Sequence, residues 1–165
     1  ESERLGQGHA ALQLEAVDLV ELIRDVAQTA SPALGSVHLD LEPTAAFTLQ
    51  IDRTRIRLLV RNLLDNALRH SLDAGRPPVI GLQVATVSGK QAARITVRDY
   101  GPGVDDTVLP HLAEPFYRPD SARGRAAGGV GLGLYLCKLV AQAHGGSFSV
   151  RNAQPGLEVR VDLLT

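Results

Sequence analysis

The chain has 165 residues, 44% of them hydrophobic and 21% charged, the make-up of one globular domain able to bury a core. Its formal net charge of -1 supplies no basic footprint, which argues against nucleic acid as a partner. A single cysteine, Cys137, excludes an internal disulfide and a cysteine-based zinc site.

Residues 1–16 read as a polar lead-in, the frayed end of an upstream helix, and Glu1 to Gln13 lacks the apolar core of a signal peptide. Val17 to Ala30 carries apolar residues at helical spacing; Asp18 favours a helix start, and Ser31-Pro32 closes the pattern. Val37 to Leu41 and Phe47 to Ile51 alternate as half-buried strands do. Asp52 to Ser71 predicts the strongest helix, where Ile56, Leu59, Val60, Leu63, Leu64, Ala67 and Leu68 form one stripe. After a loop at Gly75 to Pro78, Val79 to Val87 and Ala92 to Arg98 read as strands joined through Ser88-Gly89-Lys90. Asp99 to Gly129 is rich in Gly, Pro, Arg and Asp, and a stretch this long inside a compact domain points to a functional lid.

Gly131 to His144 predicts an apolar helix, stopped by Gly145-Gly146. Lys138 interrupts it, so no apolar run reaches the ~18 residues that span a bilayer. Cys137 lies within this pattern and reads as a buried, inert thiol. Ser147 to Asn152 and Leu157 to Leu164 form a closing hairpin around Gln154-Pro155-Gly156. Grouped helices and hairpins predict an α/β two-layer sandwich, a mixed β-sheet with helices packed on one face. The fragment is expected to be soluble and intracellular.

Three constellations carry chemistry. In Asn62-Leu63-Leu64-Asp65-Asn66-Ala67-Leu68-Arg69-His70, the asparagines four apart share a helix face, with Arg69 and His70 one turn beyond. An amide oxygen suits Mg²⁺, which takes its other ligands from water and substrate phosphates; a solvated helix face is the plain alternative. Asp99-Tyr100-Gly101-Pro102-Gly103 follows a strand, so the carboxylate can accept from an exocyclic amine while the glycines let backbone approach a flat ring. An ordinary Asp-Gly turn would look the same. Gly128-Gly129-Val130-Gly131-Leu132-Gly133-Leu134 opens a helix, where N–H groups and the helix dipole favour anions. It is neither a dinucleotide fingerprint, since no strand precedes it, nor a P-loop, since Gly-Lys-Ser/Thr is absent.

In order and spacing these three resemble the N box and the two glycine boxes of the GHKL superfamily, which includes gyrases and histidine kinases. Glu114-Pro115-Phe116-Tyr117-Arg118-Pro119-Asp120 between them resembles the histidine-kinase F box, with Leu112 where the family usually has a phenylalanine. Lys138 and His144-Gly145-Gly146 also match the kinase pattern. The resemblance runs over residues 17–165 and implies a catalytic ATP-binding domain of the Bergerat (GHKL) fold. It implies ATP and Mg²⁺ as cofactors, with Asn66 on the metal and Asn62 at the phosphate end. Arg69 and His70 would stand near the phosphates, and Asp99 would bind the adenine amine in a pocket shaped by Gly101 and Gly103. Gly129, Gly131, Leu132 and Gly133 would line the triphosphate, and Arg118 would stabilise the transferring phosphoryl group.

The hydrolytic relatives keep a glutamate base four residues before the metal-binding asparagine; here that position is Asn62, which takes no proton at neutral pH. A neutral imidazole needs little activation. A histidine kinase is therefore favoured over a GHKL ATPase fragment, and intact motifs over a degenerate binding module. His9 has neither the acid nor the proline of a phospho-acceptor motif beside it, so the acceptor is expected on a dimerisation domain outside this chain. Implied partners are that domain and, through the full kinase, a response regulator; the parent is expected to be a homodimer anchored in the bacterial inner membrane.

Overall fold

A computed structural model describes residues 12–30, 36–42, 46–115 and 133–164. Its core follows from strand alternation. β4 (Val79–Val87), β5 (Lys90–Arg98) and β7 (Leu157–Leu164) bury alternate positions, and their register joins these into rows. Ile80, Val97 and Val159 lie side by side, as do Leu82, Ile95 and Val161. Val150 and Phe148 of β6 (Ser147–Asn152) extend the two rows. With a side-chain period of two, all of them face the same way. The reverse face is polar: Arg94 meets Asp162 in two hydrogen bonds of 2.8 and 3.1 Å, and Arg151 meets Glu158 at 2.8 Å. One face is therefore apolar and takes the helices.

The sheet runs β2-β4-β5-β7-β6, with β2 (His38–Leu41) parallel to β4 and the other neighbours antiparallel. It is the mixed sheet expected. Strand β5 begins two residues earlier than the sequence suggests, at Lys90, because the tight turn at Ser88 and Gly89 lets Lys90 pair with Val87.

A separate two-stranded antiparallel ladder joins β1 (Leu14–Asp18) to β3 (Thr48–Asp52). This corrects the reading of Leu14 to Ala16 as part of a lead-in and of Val17 as the first helical residue. Leu14, Glu15 and Ala16 are exposed and only Val17 is buried, so β1 exists through backbone pairing and leaves no alternation to read.

The first helix, α1 (Leu19–Thr29), starts where Asp18 caps it: the carboxylate accepts the N–H of Val20 at 3.0 Å and of Phe47 at 3.1 Å. The central helix, α2 (Arg53–His70), buries the predicted stripe from Ile56 to Leu68. Each large apolar side chain there contributes about 1.5–3 kcal/mol, which outweighs the poor intrinsic stability of an isolated helix. The last, α3 (Gly133–Ala143), packs on α2, and the Cys137 thiol reaches the Leu59 carbonyl at 3.5 Å. Cys137 is fully buried, and burial pushes its thiol pKa up to about 12. It is the inert thiol the sequence implies.

Asp52 joins these parts. It is buried, caps α2 through the Arg55 N–H at 3.1 Å, and accepts the N–H of Gln13, just ahead of β1, at 2.9 Å. Its own N–H donates to His144 Nε2 at 3.0 Å, while His144 Nδ1 donates to the Val140 carbonyl at 2.8 Å. That pairing fixes the ring tautomer and ties the end of α3 to the start of α2. Burial alone would raise the Asp52 pKa, but the two backbone donors and the Arg55 guanidinium outweigh it and hold the carboxyl below its ordinary value.

Candidate functional site

The site begins on α2. Asn62, Asn66 and His70 fall at successive four-residue steps, so they form one row slanting along the helix. Asn62 and Asn66 are half-buried, and neither amide has a side-chain hydrogen bond to another described residue. Arg69 is exposed, without an ion pair to a described residue. Among the described residues these amides and this guanidinium are uncommitted. An amide oxygen next to phosphate oxygens matches what Mg²⁺ accepts. Among the described residues no group of three or more His, Cys, Asp or Glu side chains could hold a metal ion.

The end of this row meets the end of β5. His70 Nδ1 lies 3.7 Å from Asp99 Oδ2, a neighbour for His70 that the resemblance does not imply. Asp99 is 3% exposed. Its Oδ1 accepts the Gly101 N–H at 2.9 Å and the Leu157 N–H at 3.3 Å, and its own N–H donates to the Leu157 carbonyl at 2.9 Å. One carboxylate oxygen is thus held by backbone, and the other, with His70 Nδ1 3.7 Å away, has no hydrogen bond to a described residue. A buried charge is tolerated when hydrogen-bonded in this way.

Two glycines are fixed by close approach. A Cβ at Gly101 would run into the His70 carbonyl, and one at Gly156 would run into the Asp99 carbonyl. Gly156 also has φ +87°, a region that L side chains rarely adopt. Gly103 has φ +73° and abuts the side chain of Asn152.

The structure therefore brings together His70, Asp99 and Gly101, with Asn66 and Asn62 leading away along α2 and Gly103 on the adjoining loop. Gly133 opens α3 at an exposed position with open space where a Cβ would stand. Arg118, Gly129, Gly131 and Leu132, and with them most of the expected lid, lie outside the described residues. The described part of that stretch holds one short 3₁₀ turn, Leu109–His111.

Sequence reasoning missed four contributors. Gly156 and the Leu157 N–H hold Asp99, Arg98 donates to the carbonyls of Ala153 and Pro155 at 3.2 and 3.1 Å, and Asn152 grips the glycine loop. The Gln154-Pro155-Gly156 run signalled a turn, but nothing in it signalled what the turn would touch.

The model of the family described as histidine kinase-, DNA gyrase B-, and HSP90-like ATPase matches residues 51–164. Over 154 residues the chain is 36% identical to the "Sensor histidine kinase YkoH" of Bacillus subtilis, covering 92% of this chain and 32% of that protein. Among solved structures it is similar to the "Mycobacterial sensor histidine kinase MprB", at 27% identity and a TM-score of 0.73, covering 91% of this chain and 97% of that one. It is also similar to full-length ShkA in complex with AMPPNP, at 26% identity and a TM-score of 0.70, covering 92% of this chain and 31% of that one. The chain spans about a third of the length of the first curated relatives it matches.

Proposed function

Because the chain belongs to the histidine kinase-, DNA gyrase B-, and HSP90-like ATPase family and carries the ATP-binding catalytic domain of a sensor histidine kinase, we propose that it binds ATP with Mg²⁺ and passes the γ-phosphoryl group to a histidine outside this chain. The observation that carries the reading is Asp99: buried, with Oδ1 held by two backbone N–H groups and Oδ2 without a hydrogen bond to a described residue. The exocyclic amine of adenine is such a donor. Gly101 and Gly103 shape the wall against which a flat ring lies.

Along α2, Asn66 holds Mg²⁺ through its amide oxygen, and Asn62 supports the phosphate end. Mg²⁺ supplies neutralisation of the phosphate charge. Arg69 and His70 add donors near the phosphates, while Gly129, Gly131, Leu132 and Gly133 line the triphosphate. Arg118 stabilises charge on the moving phosphoryl group. The acceptor imidazole nitrogen forms a bond to the γ-phosphorus as the bond to the β,γ-bridging oxygen breaks. That electron pair leaves on ADP, and the imidazole sheds its ring proton. Asn62 supplies no base, so water is not activated to compete.

The acceptor histidine belongs to the dimerisation domain of the same kinase, which acts as a homodimer, and the phosphoryl group then passes to a response regulator. No helix among the described residues is long and apolar enough to cross a membrane; the parent is anchored in the bacterial inner membrane through other segments, with this domain on the cytoplasmic side. Phosphotransfer from γ-labelled ATP tests the reading. Label should reach a separately supplied dimerisation domain only when both domains are present. Rapid ATP hydrolysis by this chain alone would overturn it in favour of a gyrase-like ATPase.

A further inference from the structure

The turn between β6 and β7 does more than join two strands. Residues Asn152 to Leu157 lie against both sides of the Asp99 to Gly103 loop, and each contact is specific. On one side, the Leu157 N–H reaches Asp99 Oδ1 at 3.3 Å, and Gly156 leaves no room for a Cβ against the Asp99 carbonyl. Arg98 fastens that side by donating to the carbonyls of Ala153 and Pro155 at 3.2 and 3.1 Å. Its guanidinium also stacks at 4.4 Å from the Tyr100 ring, over which Arg76 stands at 3.8 Å.

On the other side stands Asn152. Its Oδ1 accepts the Val104 N–H at 3.1 Å, and its Nδ2 donates to the Val104 carbonyl at 2.7 Å and to Asp106 Oδ1 at 3.1 Å. The amide thus pairs with the backbone of Val104 at two points, as a neighbouring strand would. It also abuts Gly103, where a Cβ would come within 2.7 Å of its Oδ1. Only asparagine and the longer glutamine present an amide acceptor and donor side by side.

We propose that Asn152 is a positioning residue for adenine recognition: it locks Gly103 and Val104 onto the β6–β7 turn, so that the turn can hold Asp99 Oδ1 and aim Oδ2 at the base. The inference rests on the adenine reading of Asp99. Asn152 touches no ligand atom in this scheme; it acts through the loop. Its removal should loosen the aim of Asp99 and therefore erode discrimination between bases more than it weakens affinity for nucleotides as a class.

The test uses ADP and inosine diphosphate, which presents a carbonyl where adenine presents its amine. Calorimetry on this chain should give a preference for ADP of about tenfold or more, the scale of one charge-assisted hydrogen bond. Asn152→Ala should reduce that preference to roughly threefold or less, mainly by weakening ADP. Asn152→Ser, which cannot span both Val104 groups, should do the same and stands in if the alanine variant does not fold. Asp99→Asn serves as the reference. If it abolishes the preference while both Asn152 variants keep it, Asn152 has a structural role only and the inference is wrong. If Asp99→Asn itself leaves the preference intact, the adenine reading fails and takes the inference with it.

Discussion

At the Asp99 end of the site, one carboxylate oxygen takes two backbone donors and the glycines are wedged against carbonyls, whereas along α2 the side chains of Asn62, Asn66 and Arg69 hold no described partner. The first region is finished before a ligand arrives. Its geometry is set by backbone from β5, β7 and the end of α2, so a base docking there as proposed would cost little entropy. The second offers donors and acceptors on a helix, and on the proposed reading phosphates and Mg²⁺ would set their final arrangement. A base has one fixed shape, while a triphosphate with its metal would, on the proposed reading, be rearranged and released at each turnover. Substitutions in the two regions should therefore fail in different ways, one in selectivity and the other in metal dependence and rate.

The largest effect belongs to the uncommitted region. Asn66→Ala should lower phosphotransfer on the order of a hundredfold to a thousandfold, the scale of losing one contact that stabilises transition-state charge. It should also make nucleotide binding nearly independent of Mg²⁺, as calorimetry with and without the metal would reveal. Asn66→Asp should not restore activity, because the added charge repels the phosphates even as it attracts the metal. An alanine variant with full Mg²⁺-dependent binding would remove Asn66 from the metal site.

In the committed region Asp99→Asn should weaken ADP about tenfold to a hundredfold, since it puts a donor where the adenine amine needs an acceptor. Mg²⁺ dependence should remain as in the parent chain, which is what separates the two regions. Equal affinity of parent and variant for ADP would show that Asp99 does not read the base. Gly101→Ala probes the joint between them. Its Cβ would collide with the His70 carbonyl at the end of α2, so loop or helix must shift. About a tenfold loss of ADP affinity is expected, with a further loss of Mg²⁺ dependence as the α2 row moves. If affinity is unchanged, the two ends are not mechanically coupled.

What the sequence revealed follows the same division. The α2 stripe, the rows of the sheet and the closing hairpin were legible because burial imposes a period, and Ile56 to Leu68 or Val159, Val161 and Leu163 display it. Asn62, Asn66 and Asp99 drew attention as residue types at motif spacing. The strand β1 was not, since three of its five residues are exposed and its reason for existing is backbone pairing to β3. Nor was the support of Asp99 by Gly156 and Leu157, which lie more than fifty residues away in the chain. Contacts made by backbone N–H groups across the sheet leave no mark on side-chain identity. The β1–β3 ladder and the polar hub beneath it are the parts of the fold that most need a measurement of their own.

The smallest effect concerns that hub, away from both ends of the site. Asp52 has a folded-state pKa below its ordinary value, because the Gln13 and Arg55 N–H groups and the Arg55 guanidinium overcome its burial. A depressed carboxylate pKa means that the unfolded chain binds the proton more readily than the folded one. The stabilisation is therefore fully present above the unfolded value, about 3.9, and is lost as pH falls through the lower folded value. Asp52→Asn keeps an acceptor for the α2 cap but not the charge. It should be less stable at neutral pH by about 1 kcal/mol, roughly 2–4 °C in Tm for a chain of this size. His144 accepts from the Asp52 backbone N–H, a contact that Asp52→Asn leaves in place, so its contribution largely cancels from the difference. Thermal melts of the pair should show a constant gap from pH 7 down to about 5, closing below about 4. A gap unchanged at the lowest pH would mean that the Asp52 charge contributes nothing and that the cap alone holds β1 and α2 together.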